Sequence, residues 1–441
     1  MSMLSRRHAL GLLAAAPVAA QARAQRTFRD LAPRPPMGWN SWDSFAATIN
    51  EEQARANAAV MAAKLLPHGY DVFTVDIQWY EPGATGFDYR VGVELAMDAN
   101  GRLLPALNRF PSAAKGRGFK PLADYAHSLG LKFGIHLMRG VPRLAADRNL
   151  PILGTKHRCG DIADRVNICT WNSDMYGVDM SRPGAQAYYD SVFRLIASWG
   201  VDFVKVDDIS RPYHRNQPEI EAIRRAIDRS GRPMVLSLSP GETALTAAAH
   251  VASHANLWRI SDDFWDEWKL LLAQFKRLAD WAPHLRPGAW PDADMLPLGL
   301  LAMGKRRTRF TPTEQRTMMS LWSIARSPLI MGGDLRALDA DTLALLTNDE
   351  VLRVNQHGSE ARQLFRTGNH VAWTSRDGNA RYLALFNIGE TTDEVAVDLA
   401  ALGISGNARV RDLWTGKDLS DAHRRIAVTL PPHGSALYRL K

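Results

Sequence analysis

The chain has 441 residues, room for two or three domains or for one large barrel with an appendage. Hydrophobic residues at 46% and charged residues at 23% are the balance of a soluble globular enzyme, which sets aside fibrous and disordered classes. A net charge of +8 invites a nucleic-acid partner, but apart from Lys305-Arg306-Arg307 the basic residues are scattered among acidic ones with no aromatic-basic face, so a solvated mixed-charge surface is the better reading and no nucleic-acid partner is expected.

Ser5-Arg6-Arg7-His8 precedes an apolar run over residues 11–20, and Ala22-Arg23-Ala24 supplies the small-x-small pattern that signal peptidase cuts. The run is well short of the ~20 residues that span a bilayer. Its paired arginines look like the twin-arginine type of export signal. Residues 1–24 are therefore expected to be a removable signal peptide, and the mature protein to be periplasmic or secreted and free of the membrane. Cleavage after Ala24 removes Arg6, Arg7 and Arg23, leaving a net charge of about +5.

Residues 37–42, 71–77, 131–138, 201–207, 233–238, 257–261, 289–295 and 328–331 then form short apolar, β-branched or aromatic runs, with helical stretches such as 51–66, 185–198 and 220–230 between them. Apolar runs separated by helices predict a parallel sheet buried on both faces. The order helix, glycine, strand recurs at Leu129-Gly130 and Trp199-Gly200, the place where glycine ends a helix. About eight strands over some 310 residues fit a (β/α)8 TIM barrel, assigned to residues 25–350. A doubly wound open sheet has the same rhythm but needs a glycine-rich phosphate loop after an early strand, and none is present. Beyond about Val351, residues 370–376, 381–387, 393–398, 409–414 and 426–430 alternate with Gly and Pro, predicting a C-terminal antiparallel β-sandwich over residues 351–441.

Thirteen tryptophans suit stacking on the apolar face of a sugar, although most Trp are core. Cys159 and Cys169 stand without a His cluster at ligand spacing, so they make no zinc site; a disulfide and two free thiols both stay open.

Barrel chemistry sits at the C-terminal ends of strands. Reading each strand to its end yields Asp76, His136, Asp207 with Asp208, Ser239, Asp262 with Asp263, and Asp292 with Asp294. So many carboxylates on one rim repel one another, a cost that structure alone does not explain. A metal site would want more histidines than His136, so neither metal nor cofactor is expected. A glycosidase needs one carboxylate as nucleophile and a second as acid/base, about 5–5.5 Å apart in the retaining case. Lys205 shares a strand face with Asp207 by the two-residue alternation, and Arg259, four residues before Asp263, can reach back to it.

Pro36-Met37-Gly38-Trp39-Asn40-Ser41-Trp42 resembles the opening motif of glycoside hydrolase family 27, the α-galactosidase family. Lys205-Val206-Asp207 resembles its nucleophile strand, and Trp258-Arg259-Ile260-Ser261-Asp262-Asp263 its acid/base motif. Trp290-Pro291-Asp292-Ala293-Asp294-Met295-Leu296 and Pro328-Leu329-Ile330-Met331-Gly332-Gly333-Asp334 resemble its seventh- and eighth-strand segments. The resemblance runs from about residue 34 to the end. It implies Asp207 as nucleophile and Asp263 as acid/base, with Trp42 walling the sugar and Asp76, Lys205, Arg259 and Asp294 reading hydroxyls of a glycoside or oligosaccharide. Alternation puts Asp208 on the face opposite Asp207, and the spacing from Arg259 selects Asp263 over Asp262.

Two positions depart from the α-galactosidase pattern. Asp76-Ile77-Gln78-Trp79 has Ile77 where the family pattern has a second Asp, and Leu238-Ser239-Pro240 has Ser239 where it has Glu. β-L-Arabinopyranose has the ring stereochemistry of α-D-galactose without the exocyclic hydroxymethyl group. An Ile at this place leaves a galactose O6 unpaired, at a cost of about 1–3 kcal/mol, and resembles the family's β-L-arabinopyranosidases. β-L-Arabinopyranosidase activity is therefore expected ahead of α-galactosidase activity. Room beside Ser239 for an acetamido group, and a catalytically inactive sugar-binding barrel, are the alternatives.

Overall fold

The computed structural model describes residues 27–441; the segment read as a signal peptide, residues 1–24, lies outside the described residues. Each of the eight apolar runs forms a strand: β1 Met37–Asn40, β2 Val72–Val75, β3 Lys132–Met138, β4 Phe203–Asp207, β5 Val235–Leu238, β6 Leu257–Arg259, β7 Trp290–Asp292 and β8 Leu329–Met331. They pair in parallel, each with its neighbour in chain order, and β1 pairs with β8. A parallel bridge from Leu296, just past β7, to Met331 of β8 closes the ring. The fold is a (β/α)8 barrel.

Eight helices follow their strands: α1 Glu51–Lys64, α2 Lys120–Ser128, α3 Ala185–Ser198, α4 Tyr213–Arg229, α5 Ala248–His254, α6 Trp268–Trp281, α7 Pro312–Ala325 and α8 Asp349–His357. Reciprocal side-chain caps start α1 at Asn50 with Gln53 and α7 at Thr311 with Glu314. Gly130 and Gly200 take positive φ of 82° and 87° past the ends of α2 and α3. This lets the amides of Leu131 and Val201 donate back to the carbonyls of Ala126 and Ile196 as the chain turns into the next strand.

The barrel is sealed at one end and polar at the other. Val72, Phe203, Val235, Leu257 and Trp290, the first residues of five strands, form one buried apolar cluster with Ala32. The far ends of the strands and the turns beyond them carry Asp76, His136, Asp207, Ser239, Arg259 and Asp292, all buried. Apolar side chains plug the bottom, so chemistry is confined to the top.

Between β3 and α3 the chain inserts a small antiparallel sheet of Val141–Pro142, Ala163–Ile168 and Met175–Val178, which the sequence reading did not anticipate. Cys159 and Cys169 belong to this insertion and are both buried, free thiols.

The last eight strands are β9 Ser359–Thr367, β10 His370–Asp377, β11 Ala380–Asn387, β12 Asp393–Asp398, β13 Val410–Asp412, β14 Lys417–Asp418, β15 Arg425–Leu430 and β16 Ser435–Leu440. Six form one sheet in the order β9-β10-β11-β16-β13-β14, and β12 pairs with β15 in a second. Leu383, Leu385, Val395, Val397 and Tyr438 belong to the buried core of this sandwich. Helix α8 straddles residue 350, so the barrel's last helix runs to His357 and the sandwich opens at Ser359. Phe275 of α6 packs edge-on against Phe386 of β11, ring centroids 5.1 Å apart, and ties the two parts together. Among the described residues no helix is long and apolar enough to cross a membrane.

Candidate active site

A cavity of about 520 Å³ opens at the C-terminal ends of the barrel strands, within the ~300–1,000 Å³ usual for small-molecule sites. Trp42, Asp76, Ile77, Lys205, Asp207, Arg259, Asp263 and Asp294 all line it. These residues come from the ends of β1, β2, β4, β6 and β7, so barrel closure brings together positions far apart in the chain.

Asp207 is 5% exposed at the last position of β4. Burial alone would raise its pKa, but the Lys205 ammonium 3.8 Å away, and then His136 with Nε2 2.9 Å from Oδ2, hold it down at about 2. Asp207 is therefore a carboxylate at neutral pH. Lys205 is kept protonated in turn: burial opposes its charge, but Asp207 and Asp76 outweigh that, and its Nζ donates to Asp76 Oδ2 at 2.9 Å. Asn40 Nδ2 donates to the same oxygen at 2.6 Å, which fixes Asp76 on the cavity floor. Asp76, His136 and Asp207 each bring a ligand-type atom within 4.8 Å of the others, the spacing of a metal site. The Lys205 ammonium already stands between the two carboxylates as their counter-charge.

Asp263 differs in kind. Its side chain is 54% exposed, and Arg259 Nη2 lies 3.4 Å from Oδ1. The same guanidinium nitrogen is 2.7 Å from Asp294 Oδ2. Burial raises the Asp294 carboxyl to about 7 against the pull of Arg259, with the charges of Asp263 and Asp292 adding to the rise. The cavity thus holds a buried anion beside the Lys205 ammonium and the His136 ring, and an accessible carboxyl beside an arginine.

The neighbours of both acids are engaged elsewhere. Asp262 is exposed and paired with Arg211 at 2.8 Å. Asp208 lies just past the end of β4 with φ of +59°, so strand alternation no longer governs it; it too reaches the cavity lining, instead of the opposite face that alternation implied. Its carboxylate is gripped by Arg139 Nη2 at 2.6 Å. Ser239 is absent from the residues lining this cavity. It is buried against Asp207 and borders a smaller void next to Lys205, Arg259 and Asp294.

The profile described as alpha galactosidase A matches residues 34–149 and 159–357, and that of the alpha galactosidase C-terminal beta sandwich domain matches residues 367–440. The chain belongs to the alpha-galactosidase family, glycoside hydrolase family 27. This family-27 hydrolase is 53% identical to a β-L-arabinopyranosidase of Geobacillus stearothermophilus, with a TM-score of 0.93 over 94% of this chain and 98% of the other. A variant of that enzyme in complex with arabinose matches equally, at a TM-score of 0.93 and 52% identity over 95% and 99% of the two chains. The alpha-galactosidase of Coffea arabica is 30% identical over 92% of this chain and 93% of its own length. Alpha-galactosidase A of Cellvibrio japonicus is 29% identical over 98% and 97%.

The family-27 cavity also contains residues that sequence reasoning missed. Asp43 lines it at 2% exposure with Oδ2 lacking any hydrogen-bond partner among the described residues, and burial, then Asp294, pushes its carboxyl well above the usual range. Its position directly after Trp42 in the opening motif was the available signal. Phe87, Tyr89, Trp171 and Trp265 arrive on loops after β2, β3 and β6. No spacing rule points to them, because loop residues carry no periodicity.

Proposed function

We propose that this family-27 hydrolase is a retaining exo-glycosidase that releases terminal β-L-arabinopyranose, and α-D-galactose less readily, by double displacement. The observation that carries the proposal is the unlike pair in one cavity: Asp207, a buried carboxylate fixed by Lys205 and His136, and the accessible Asp263 beside Arg259.

In the first step an Asp207 oxygen attacks the anomeric carbon while Asp263 gives its proton to the leaving oxygen, breaking the glycosidic bond and forming a glycosyl ester. Asp263, now a carboxylate, then takes a proton from water as that water's oxygen attacks the anomeric carbon. The ester bond breaks and Asp207 leaves as the carboxylate. Two inversions return the original configuration. Asp76 and Lys205 supply an acceptor and a donor for ring hydroxyls, and Trp42 supplies an apolar wall.

The sugar preference rests on Ile77, a buried cavity-lining residue with no polar atom in its side chain. It suits the bare ring carbon of arabinopyranose, and similarity to the Geobacillus enzyme supports the same reading. The paired arginines near the N-terminus support work in the periplasm or outside the cell.

The experiment compares kcat/KM for nitrophenyl β-L-arabinopyranoside and α-D-galactoside and follows the first-formed anomer by NMR. The arabinoside is expected to lead and the product to keep its configuration. A galactoside preference of about tenfold or more, which is ~1.4 kcal/mol, would overturn the reading of Ile77, and an inverted product would overturn the double displacement.

A further inference from the structure

Asp43, Asp76, Asp207, Asp263 and Asp294 share the cavity lining with Lys205 and Arg259; of the other acids there, Asp208 is held by Arg139 and Asp262 by Arg211. Lys205 serves Asp76 and Asp207, and Arg259 serves Asp263 and Asp294. Asp43 is the acid left without a cation of its own among the described residues, and it has no task in the double displacement. Its Oδ2 is buried without a hydrogen-bond partner among those residues. An unpaired carboxylate is costly to bury, and burial together with the nearby Asp294 charge favours the protonated form. The position is held firmly. The Trp42 amide donates to Asn40 Oδ1 at 2.8 Å, and the Asp43 carbonyl accepts from the Ala302 amide at 2.8 Å. Gly332, just past β8, makes the room: a methyl group built on it would lie 2.6 Å from the Asp43 Cγ and overlap the carboxyl.

We propose that Asp43 is a substrate-binding residue whose carboxyl O–H donates a hydrogen bond to one ring hydroxyl of the terminal pyranose. An ionised carboxylate can only accept, whereas a sugar hydroxyl both donates and accepts. Carboxylates such as Asp76 and Asp207 therefore satisfy the hydrogens of the sugar and leave its oxygens to other groups. A protonated acid beside the Trp42 wall supplies a donor there without adding a further charge to a cavity already rich in anions. The bound hydroxyl in turn gives the Asp43 carboxyl the partner that the protein does not provide. This rests on the glycosidase reading above.

The test measures kcat/KM for the nitrophenyl glycoside of whichever sugar the wild type accepts and for its 2-, 3- and 4-deoxy analogues. Asp43→Leu, close to Asp in shape but without polar atoms, should lower the value for the parent glycoside by roughly 10–100-fold. On the one analogue that lacks the partner hydroxyl, the same substitution should cost no more than about twofold, because the contact is already gone. Asp43→Asn keeps an N–H donor at the same place and should recover most of what Asp43→Leu loses on the parent. Gly332→Ala displaces the carboxyl without altering its chemistry, and should repeat the substrate pattern of Asp43→Leu even if that variant does not fold. Equal losses on all four substrates, or no loss on any, would overturn the contact. Asp43→Asn as damaging as Asp43→Leu on the parent would overturn the donor role. If the wild type cleaves neither the β-L-arabinopyranoside nor the α-D-galactoside, the glycosidase reading falls and takes this contact with it.

Discussion

Replacing Lys205 by methionine keeps most of the side chain's apolar stem and deletes its charge, leaving Asp207 buried beside His136 and Ser239 without the ammonium. The ammonium lies 3.8 Å from Asp207 Oδ1, and both side chains are largely shielded from water at 14% and 7% exposure. With an effective dielectric of ~20, a charge pair at that distance is worth about 4 kcal/mol. That corresponds to roughly a thousandfold in proton affinity. Asp207, held at about 2 in the wild type, should then titrate near pH 5. Attack requires the carboxylate, so activity is lost as pH falls through this value. The assay is kcat/KM against pH for a dinitrophenyl glycoside, whose leaving group departs without protonation, so the lowest acid limb reports Asp207 in the free enzyme. In Lys205→Met that limb should move up by two to three pH units (about 3–4 kcal/mol). A variant that loses rate uniformly with the limb unmoved would refute the idea that Lys205 sets the charge of the nucleophile.

Asp263→Ala should lose about 10²–10⁴-fold on a methyl glycoside, retain the first step with the dinitrophenyl glycoside, and regain turnover with azide; equal loss on both substrates would remove Asp263 from the acid/base role. Ile77→Asp should shift the galactoside-to-arabinoside ratio of kcat/KM by about 10–100-fold toward galactoside, and an unchanged ratio counts against the assignment. The Asp294 carboxyl, raised from 3.8 to about 7 by burial first and then by Asp263 and Asp292, keeps its proton in the folded state where the unfolded chain has lost it. Its contribution to stability therefore declines as pH rises from about 4 to about 7. Asp294→Asn, which cannot titrate, should gain about 5 °C in Tm relative to wild type across that interval while losing activity; a Tm difference independent of pH would contradict this. Arg139 is 2% exposed and pairs with Asp208 at 2.6 Å and Glu219 at 2.8 Å. Arg139→Met strands the buried Glu219 carboxylate and the partly buried Asp208 carboxylate, at a cost of about 3–5 kcal/mol, visible as a Tm lower by about 10 °C in thermal unfolding.

Much of the site was legible because strand chemistry is periodic. Lys205 and Asp207 had to share a face of β4 once that strand was recognised, and they do. Asp208 shows where the rule stops: one residue beyond the strand the backbone takes a positive φ, and Arg139 rather than alternation decides where the carboxylate points. In the sandwich, alternating runs identified β10 to β13 and β15, but not β9, β16 or the two-residue β14. The pairing of β12 with β15 across intervening strands is a register that no single strand contains.

By itself, the sequence determined the succession of strands and helices, the family motifs, and which acids stand at strand ends. Those are local properties, set by side-chain period and by glycine at helix ends. Tertiary structure alone decided that Lys205 meets Asp76 from 129 positions away, that Asp43 Oδ2 is buried without a hydrogen-bond partner among the described residues, and that Tyr89 and Trp171 continue the aromatic row from Trp42. The physical reason is closure: a ring of eight parallel strands aims their C-terminal loops at one axis, and the resulting meeting of loop residues has no counterpart in their spacing along the chain.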